Sequence, residues 1–366
     1  MGLKRIQRGM TLVELMIAMA VGVLLLLGVS LLFTQNRQSY RQNEELARIQ
    51  ENARFAIEEL SRDLSMAGFF AEIVNGGAVV VHAALPANAN DCGAGGANWL
   101  YDFTGGLLDG AVRVADQVTG GADAAGEFSC IDAGLAVRPN TDVIGIRRTS
   151  GVPSFWDSLP AGGTAPNCDL TLPAGAACQR PVPAQGVFVR ENSTQVVIYH
   201  GTAALDAGDV QLAAIPVPYE DWEYSPRVYY VRDVVQPDGD TVPTLCRQRL
   251  NNALAGVTQF AEECIVEGVE DLQIELGIDT TGDGAANAYV NDFTVNNLDR
   301  AVSLRLYLLM RAIDIDVGYT DERTYTLGNT AAGSYQVGPF NDRFHRRVYT
   351  TTVAMRNLAN LRQLGF

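Results

Sequence analysis

Histidine is scarce in this chain: only His82, His200 and His345 occur, far apart in sequence. A metal or acid–base centre built on imidazole is therefore thinly supplied. Cations are outnumbered, with 27 Lys+Arg against 42 Asp+Glu and a formal net charge of −15. So acidic a chain lacks the bulk charge to hold nucleic acid. No two of the six cysteines form a C-x-x-C, which leaves zinc-ribbon and thioredoxin readings without support. There is no Walker lysine loop, no G-x-S-x-G and no H-E-x-x-H. No catalytic residue and no cofactor are assigned on these grounds, and no enzymatic activity is expected. The three tryptophans, Trp99, Trp156 and Trp222, show no spacing of a sugar or base platform.

What is present is a chain of 366 residues, 47% apolar, long enough for a sizeable core. Its 36 glycines and 14 prolines favour strands joined by long loops over a helical bundle. The even cysteine count fits a disulfide framework in an oxidising compartment. Sequential pairing is expected: Cys92–Cys130, Cys168–Cys178 and Cys246–Cys264.

The N-terminus carries the strongest signal. Residues 1–9 hold Lys4, Arg5 and Arg8 and no acid. Residues 10–33 form an apolar run whose one charge is Glu14, with no proline. As a helix that run is long enough to cross a bilayer core of about 30 Å. The positive flank should stay cytoplasmic and send the rest of the chain outward. A carboxylate in such a segment is costly and marks a functional position. Cleavage as an ordinary secretory signal, after Ala20, would leave a greasy mature end. Arg8-Gly9-Met10-Thr11-Leu12-Val13-Glu14-Leu15 resembles the class III signal of type IV pilins and type II secretion pseudopilins. The resemblance implies cleavage by a prepilin peptidase between Gly9 and Met10, and N-methylation of Met10. It implies that Glu14 sets subunit register by pairing with the N-terminal ammonium of a neighbour.

Beyond the membrane segment, Leu46, Ile49, Ala53, Ala56, Ile57, Leu60, Leu64 and Ala67 recur at steps of three and four. That spacing predicts one apolar stripe of an amphipathic helix. The other faces carry Arg48, Glu51, Arg54, Glu58, Glu59, Arg62 and Asp63. With no proline between 10 and 67, one helix is expected, stopping at Gly68. Strands are predicted at Val143–Ile146, at a hairpin of Gly186–Arg190 with Gln195–Tyr199, and at Arg227–Arg232. Leu272 to Ile278 and Val302 to Met310 alternate apolar with polar residues, one face buried and one wet. A last strand runs from Val348 to Met355. The fold class expected is α+β and pilin-like: a long N-terminal helix, its first half membrane-spanning, packed on a largely antiparallel sheet domain with long loops. The organisation is a leader at 1–9, a membrane or filament-core helix at 10–33 and its amphipathic half at 34–67. A periplasmic domain follows at 68–366, variable and loop-rich between about 75 and 220.

Residues 228–249, 265–290, 301–311 and 347–357 resemble the PilW group of minor pilins. That resemblance implies a role in pilus assembly at the filament tip. The implied partners are the membrane, other minor pilins, the major pilin, the prepilin peptidase, the inner-membrane assembly platform and a PilY-type adhesin. A J-type pseudopilin and a membrane-anchored periplasmic enzyme or binding protein are the rival readings. Asp279, Thr281, Asp283 and Asn287 lie in a stretch like the first half of a calcium loop, but Val290 stands where the bidentate glutamate belongs. A plain polar turn competes with a weak calcium site there. Asp221, Glu223, Glu262 and Glu263 read as solvated faces, and His345-Arg346-Arg347 as a surface turn.

Overall fold

The computed structural model describes residues 10–71, 79–83, 85, 92–94, 99–103, 110–157, 186–192, 195–201, 210–213, 215, 219–251, 259–330 and 333–357. Helix α1 runs Leu12–Ser65 without interruption. It tightens at its end, where the amides of Met66 and Ala67 donate three residues back, to Asp63 and Leu64. Gly68 then turns the chain out at φ 72°, a conformation that glycine adopts without penalty. The chain divides inside α1, into residues 1–48 and 49–366.

The strands are β1 (Val79–Val81), β2 (Val112–Val118), β3 (Thr141–Ile146), β4 (Phe155–Asp157), β5 (Val187–Glu191), β6 (Val196–His200), β7 (Tyr219–Glu223) and β8 (Arg227–Val235). They continue with β9 (Thr241–Asn251), β10 (Gln259–Glu267), β11 (Val269–Ile278), β12 (Ala288–Val290), β13 (Ala301–Arg311), β14 (Tyr325–Thr330), β15 (Gly333–Val337) and β16 (Arg346–Ala354). Short helix α2 spans Gly121–Glu127. The first sheet has the order β1-β6-β5-β7-β4, the second β10-β9-β8-β3-β2 and the third β12-β11-β13-β16, with β14-β15 a separate hairpin. Pairing is antiparallel throughout except between β1 and β6. The α+β class read from the sequence is the observed one, but the strands form several sheets rather than one.

The main core lies where α1 meets the second and third sheets. Ile49, Ala53, Ala56, Leu60, Leu64 and Ala67 pack on Ile144, Tyr229 and Leu245 of one sheet and on Leu272, Leu304, Leu306 and Leu308 of the other. Small alanines let the helix approach the strands closely, while the leucines fill the space between. Between β10 and β11 the chain passes from one sheet to the next through Gly268, at φ 83°. A Cβ there would sit 2.7 Å from the carbonyl oxygen of Arg311, so no larger residue fits this joint. The opposite face of the second sheet is closed by Trp99, Phe128 and Ile131, and that of the third, at Leu309, by Tyr325 and Leu327.

This second layer corrects the expectation of a wet face. Every residue of β11 is buried, including Asp271, Gln273 and Glu275. Their polar atoms are satisfied from the covering segment: Gln273 Nε2 donates to the Asn140 carbonyl at 2.7 Å, and Glu275 Oε1 accepts from the Asn329 amide at 2.9 Å. On β13 a register shift at Gly277/Ile278 turns Ala301 rather than Val302 into the core. The loop-rich stretch before residue 140 contains a seven-residue strand, β2, whose alternation is broken by its own register shift between Ala115 and Val118.

Candidate functional site

Leu12–Ser30 is long and apolar enough to cross a membrane, and none of it is buried within the protein. Leu24, Leu25 and Leu26 are each about two-thirds exposed. Such a stripe-less apolar surface is stable only in lipid or against other apolar helices. Its start is built by Thr11 and Glu14. The Thr11 hydroxyl accepts the Glu14 amide at 3.2 Å, and the Glu14 carboxylate accepts both the amide and the hydroxyl of Thr11 at 3.0 Å. This is a reciprocal capping box, which supplies partners to amides that the first helical turn leaves bare. The carboxylate at the head of the apolar run is thus held by its own chain. Thr11 was not singled out from the sequence, although the spacing Thr-x-x-Glu announces it. Met10 stands exposed just before the helix. Gly9 and the rest of the leader lie outside the described residues.

At the other end of α1, Asp63 is buried, not solvated as the helical pattern suggested. It lies three residues after Leu60 and so on the rim of the stripe. Its carboxylate accepts Arg148 Nη2 at 2.7 Å, together with the Arg227 guanidinium and the Tyr229 hydroxyl. One turn earlier Glu59 takes the Arg247 guanidinium. Burial, followed by the Asp63 charge, raises the Tyr229 phenol well above its ordinary value. These contacts fix α1 to β8, to β9 and to the segment just after β3 by charge as well as by packing.

Other charged residues are likewise structural. Arg190 binds Asp221 through two bonds of 2.8 and 2.9 Å, both side chains being buried. Glu262 accepts Tyr230 and Arg232, and Glu263 accepts Arg247 and lies near Arg249. Arg346 is no surface turn: it is buried against Glu270, Asp321 and Asp342, over the Phe340 ring. The sequence reading missed these pairs because most of them join residues far apart in the chain, Asp342 and Arg346 being the exception.

A cluster of carboxylates sits at the seam of the second and third sheets. Asp142 accepts the amides of Gln117 at 2.9 Å and Ile274 at 2.7 Å. Asp116 lies against it, and burial raises both acids. Asp271, beside them, is pushed up to about 7 by burial. The Asp279 turn is held from within. Asp279 accepts the amides of Thr281, Gly282 and Gly284 at 2.7–2.9 Å, and Asn287 Oδ1 accepts the Thr280 amide at 2.8 Å. The Gly284 amide first of all holds the Asp279 carboxyl below its ordinary range. These are the amide-to-carboxylate bonds that shape the turn, and Asp283 accepts the Ala285 amide in the same way at 3.0 Å. Cys92 is bonded to Cys130 and Cys246 to Cys264. Cys168 and Cys178 lie outside the described residues.

Residues 228–357 match the family described as Type IV Pilus-assembly protein W, and residues 4–30 match the Prokaryotic N-terminal methylation motif. No curated protein matches the chain. No solved structure matches it either. The first match covers β8 to β16, so it takes in most of the surface on which α1 is docked. Together the two matches fit a PilW-type minor pilin and support a minor pilin of a type IV pilus. The matched family is one of structural and assembly proteins, which work in association with other pilus components. The methylation motif and the apolar helix fit a membrane-anchored pilin.

Proposed function

We propose that this chain is made as a prepilin, cut between Gly9 and Met10, methylated at Met10, and assembled as a minor pilin that primes a type IV pilus and stays in its tip complex. The observation that carries this reading is the pairing, in one chain, of an N-terminal methylation motif with a PilW-family segment. Cleavage before the apolar run keeps that run in the mature protein, where it anchors the subunit and later lines the filament. The domain from Ile49 onward would then face the periplasm, an oxidising compartment that suits the Cys92–Cys130 and Cys246–Cys264 bonds. In the membrane the Thr11 cap occupies the Glu14 carboxylate; on assembly that carboxylate exchanges this local partner for the methylated ammonium of a neighbour. Other minor pilins, the major pilin, the inner-membrane platform and a PilY-type adhesin are the partners of this reading. It assigns the chain no catalysis, and its contribution to adhesion and twitching runs through the filament.

Mass spectrometry of the N-terminal peptide, from cells with a working prepilin peptidase, tests it. A peptide that begins at Met10 and carries one added methyl group is expected. A peptide that retains residues 1–9, or one that begins after Ala20, would return the chain to the class of simple anchored proteins.

A further inference from the structure

Strand β16 is an edge strand of nine residues that pairs with β13 in unbroken register. The Met355 amide donates to the Val302 carbonyl, and antiparallel bonding alternates from there. The amides and carbonyls of Val348, Thr350, Thr352 and Ala354 therefore point outward, and among the described residues no main-chain bond reaches them. Native edges are normally blunted by shortness, charge, bulges or proline. The other edges of the three larger sheets obey that rule. β1, β4 and β12 are three residues long, β10 carries Glu262, Glu263 and Glu267, and β2 carries Arg113 and Asp116 beside a register shift. On β16 the charges, Arg346 and Arg347, are confined to its first two residues, and the stretch that follows, Val348 to Met355, holds no charge and no proline.

The outer edge of β16 borders a cleft of about 660 Å³. Ser65, the last residue of α1, and Met66 and Phe69 just past it line one side, and Thr352, Ala354 and Arg356 the other. That volume is within the roughly 300–1,000 Å³ of ligand sites. The wall opposite the strand supplies apolar surface for alternate side chains of an added strand. The exposed charges that bracket the edge, Arg347 and Arg356, are both basic in a chain of net charge −15. We propose that β16 takes an extended peptide from another polypeptide as a fifth strand of the third sheet, with small β-branched residues along its middle and carboxylates near its ends. This inference goes beyond the pilus reading and does not depend on it.

The test uses the full chain in detergent micelles. The probe is a fluorescein-labelled, end-capped peptide of alternating valine and threonine with a glutamate at each end. Saturable binding by anisotropy is expected. Methylating the peptide amides along the pairing edge, or Thr352→Pro, should weaken it by about tenfold or more, because each removes main-chain bonds. Proline is tolerated on an outward edge position, so Thr352→Pro should keep its thermal midpoint. If that variant does not fold, the methylated peptide alone decides. No saturable binding, or equal binding of the methylated peptide, overturns the proposal. Binding that appears only after removal of residues 358–366 would give the edge to the chain's own tail and overturn it. So would a dimer that Thr352→Pro dissolves, which would give the edge to a second copy.

Discussion

Asp271 shows what a single residue does to this molecule. Its carboxyl lies buried between two sheets, bonded to Gln273 at 2.9 Å and pushed up from 3.8 to about 7 by burial. The native state thus holds this proton more tightly than the unfolded chain does. Stability from this group is full below pH 4 and is lost as pH rises towards 7, where the acid must ionise in place. The loss is on the order of 4 kcal/mol across that window. Asp142 and Asp116, raised by burial in the same seam, add to the slope in the same direction. Asp271→Asn keeps an oxygen for Gln273 and removes the charge. It should stabilise the protein at pH 8 by roughly 2–4 kcal/mol and make the slope between pH 4 and 7 shallower. Denaturant unfolding at several pH values measures this, and an unchanged slope would show that Asp271 ionises freely. The sequence displayed Asp271 as a wet residue of an alternating strand, because alternation reports one buried face and is silent on what lies over the other.

At the scale of the element, α1 was legible and its anchoring was not. The stripe read from Leu46 to Ala67 follows from three- and four-residue steps; of its large members Ile49, Leu60 and Leu64 are buried and Ile57 partly so, whereas Leu46 is exposed. Asp63 looked like one more charge on the wet side. Its role depends on Arg148, Arg227 and Tyr229, which lie 85 or more residues away. Periodicity cannot see that distance. Asp63→Ala leaves two guanidinium groups and a phenol facing a void, and should cost about 3–5 kcal/mol by chemical unfolding of the domain from Ile49 onward. A loss under about 1 kcal/mol would place the pair among weak surface bridges. The strands tell a similar story. The β5–β6 hairpin, β8, β11, β13 and β16 were visible from β-branched runs, whereas β2 hid among glycines and alanines because its register shift breaks the alternation.

At the scale of the whole molecule, the functional reading rests on its two ends, the methylation motif and the PilW segment. The sequence made both visible, since charge, glycine, apolar run and glutamate must stand in register over a few residues. The first sheet lies largely outside the matched segments, and nothing in its sequence announces a task. Glu14→Val should leave folding of the domain and cleavage at Gly9 intact while sharply lowering the amount of the subunit recovered in sheared pili. Wild-type recovery would remove Glu14 from the assembly step and leave it as a helix cap alone.

The continuity of α1 also decides how the protein meets a mechanical load. Within the domain, a load along the axis of the helix falls on the roughly five turns from Ile49 to Ser65. The stripe and the Asp63 and Glu59 ion pairs are then strained side by side, in shear, and must fail together rather than one after another. A tug along the axis should meet far more resistance than a sideways peel that opens the same contacts turn by turn.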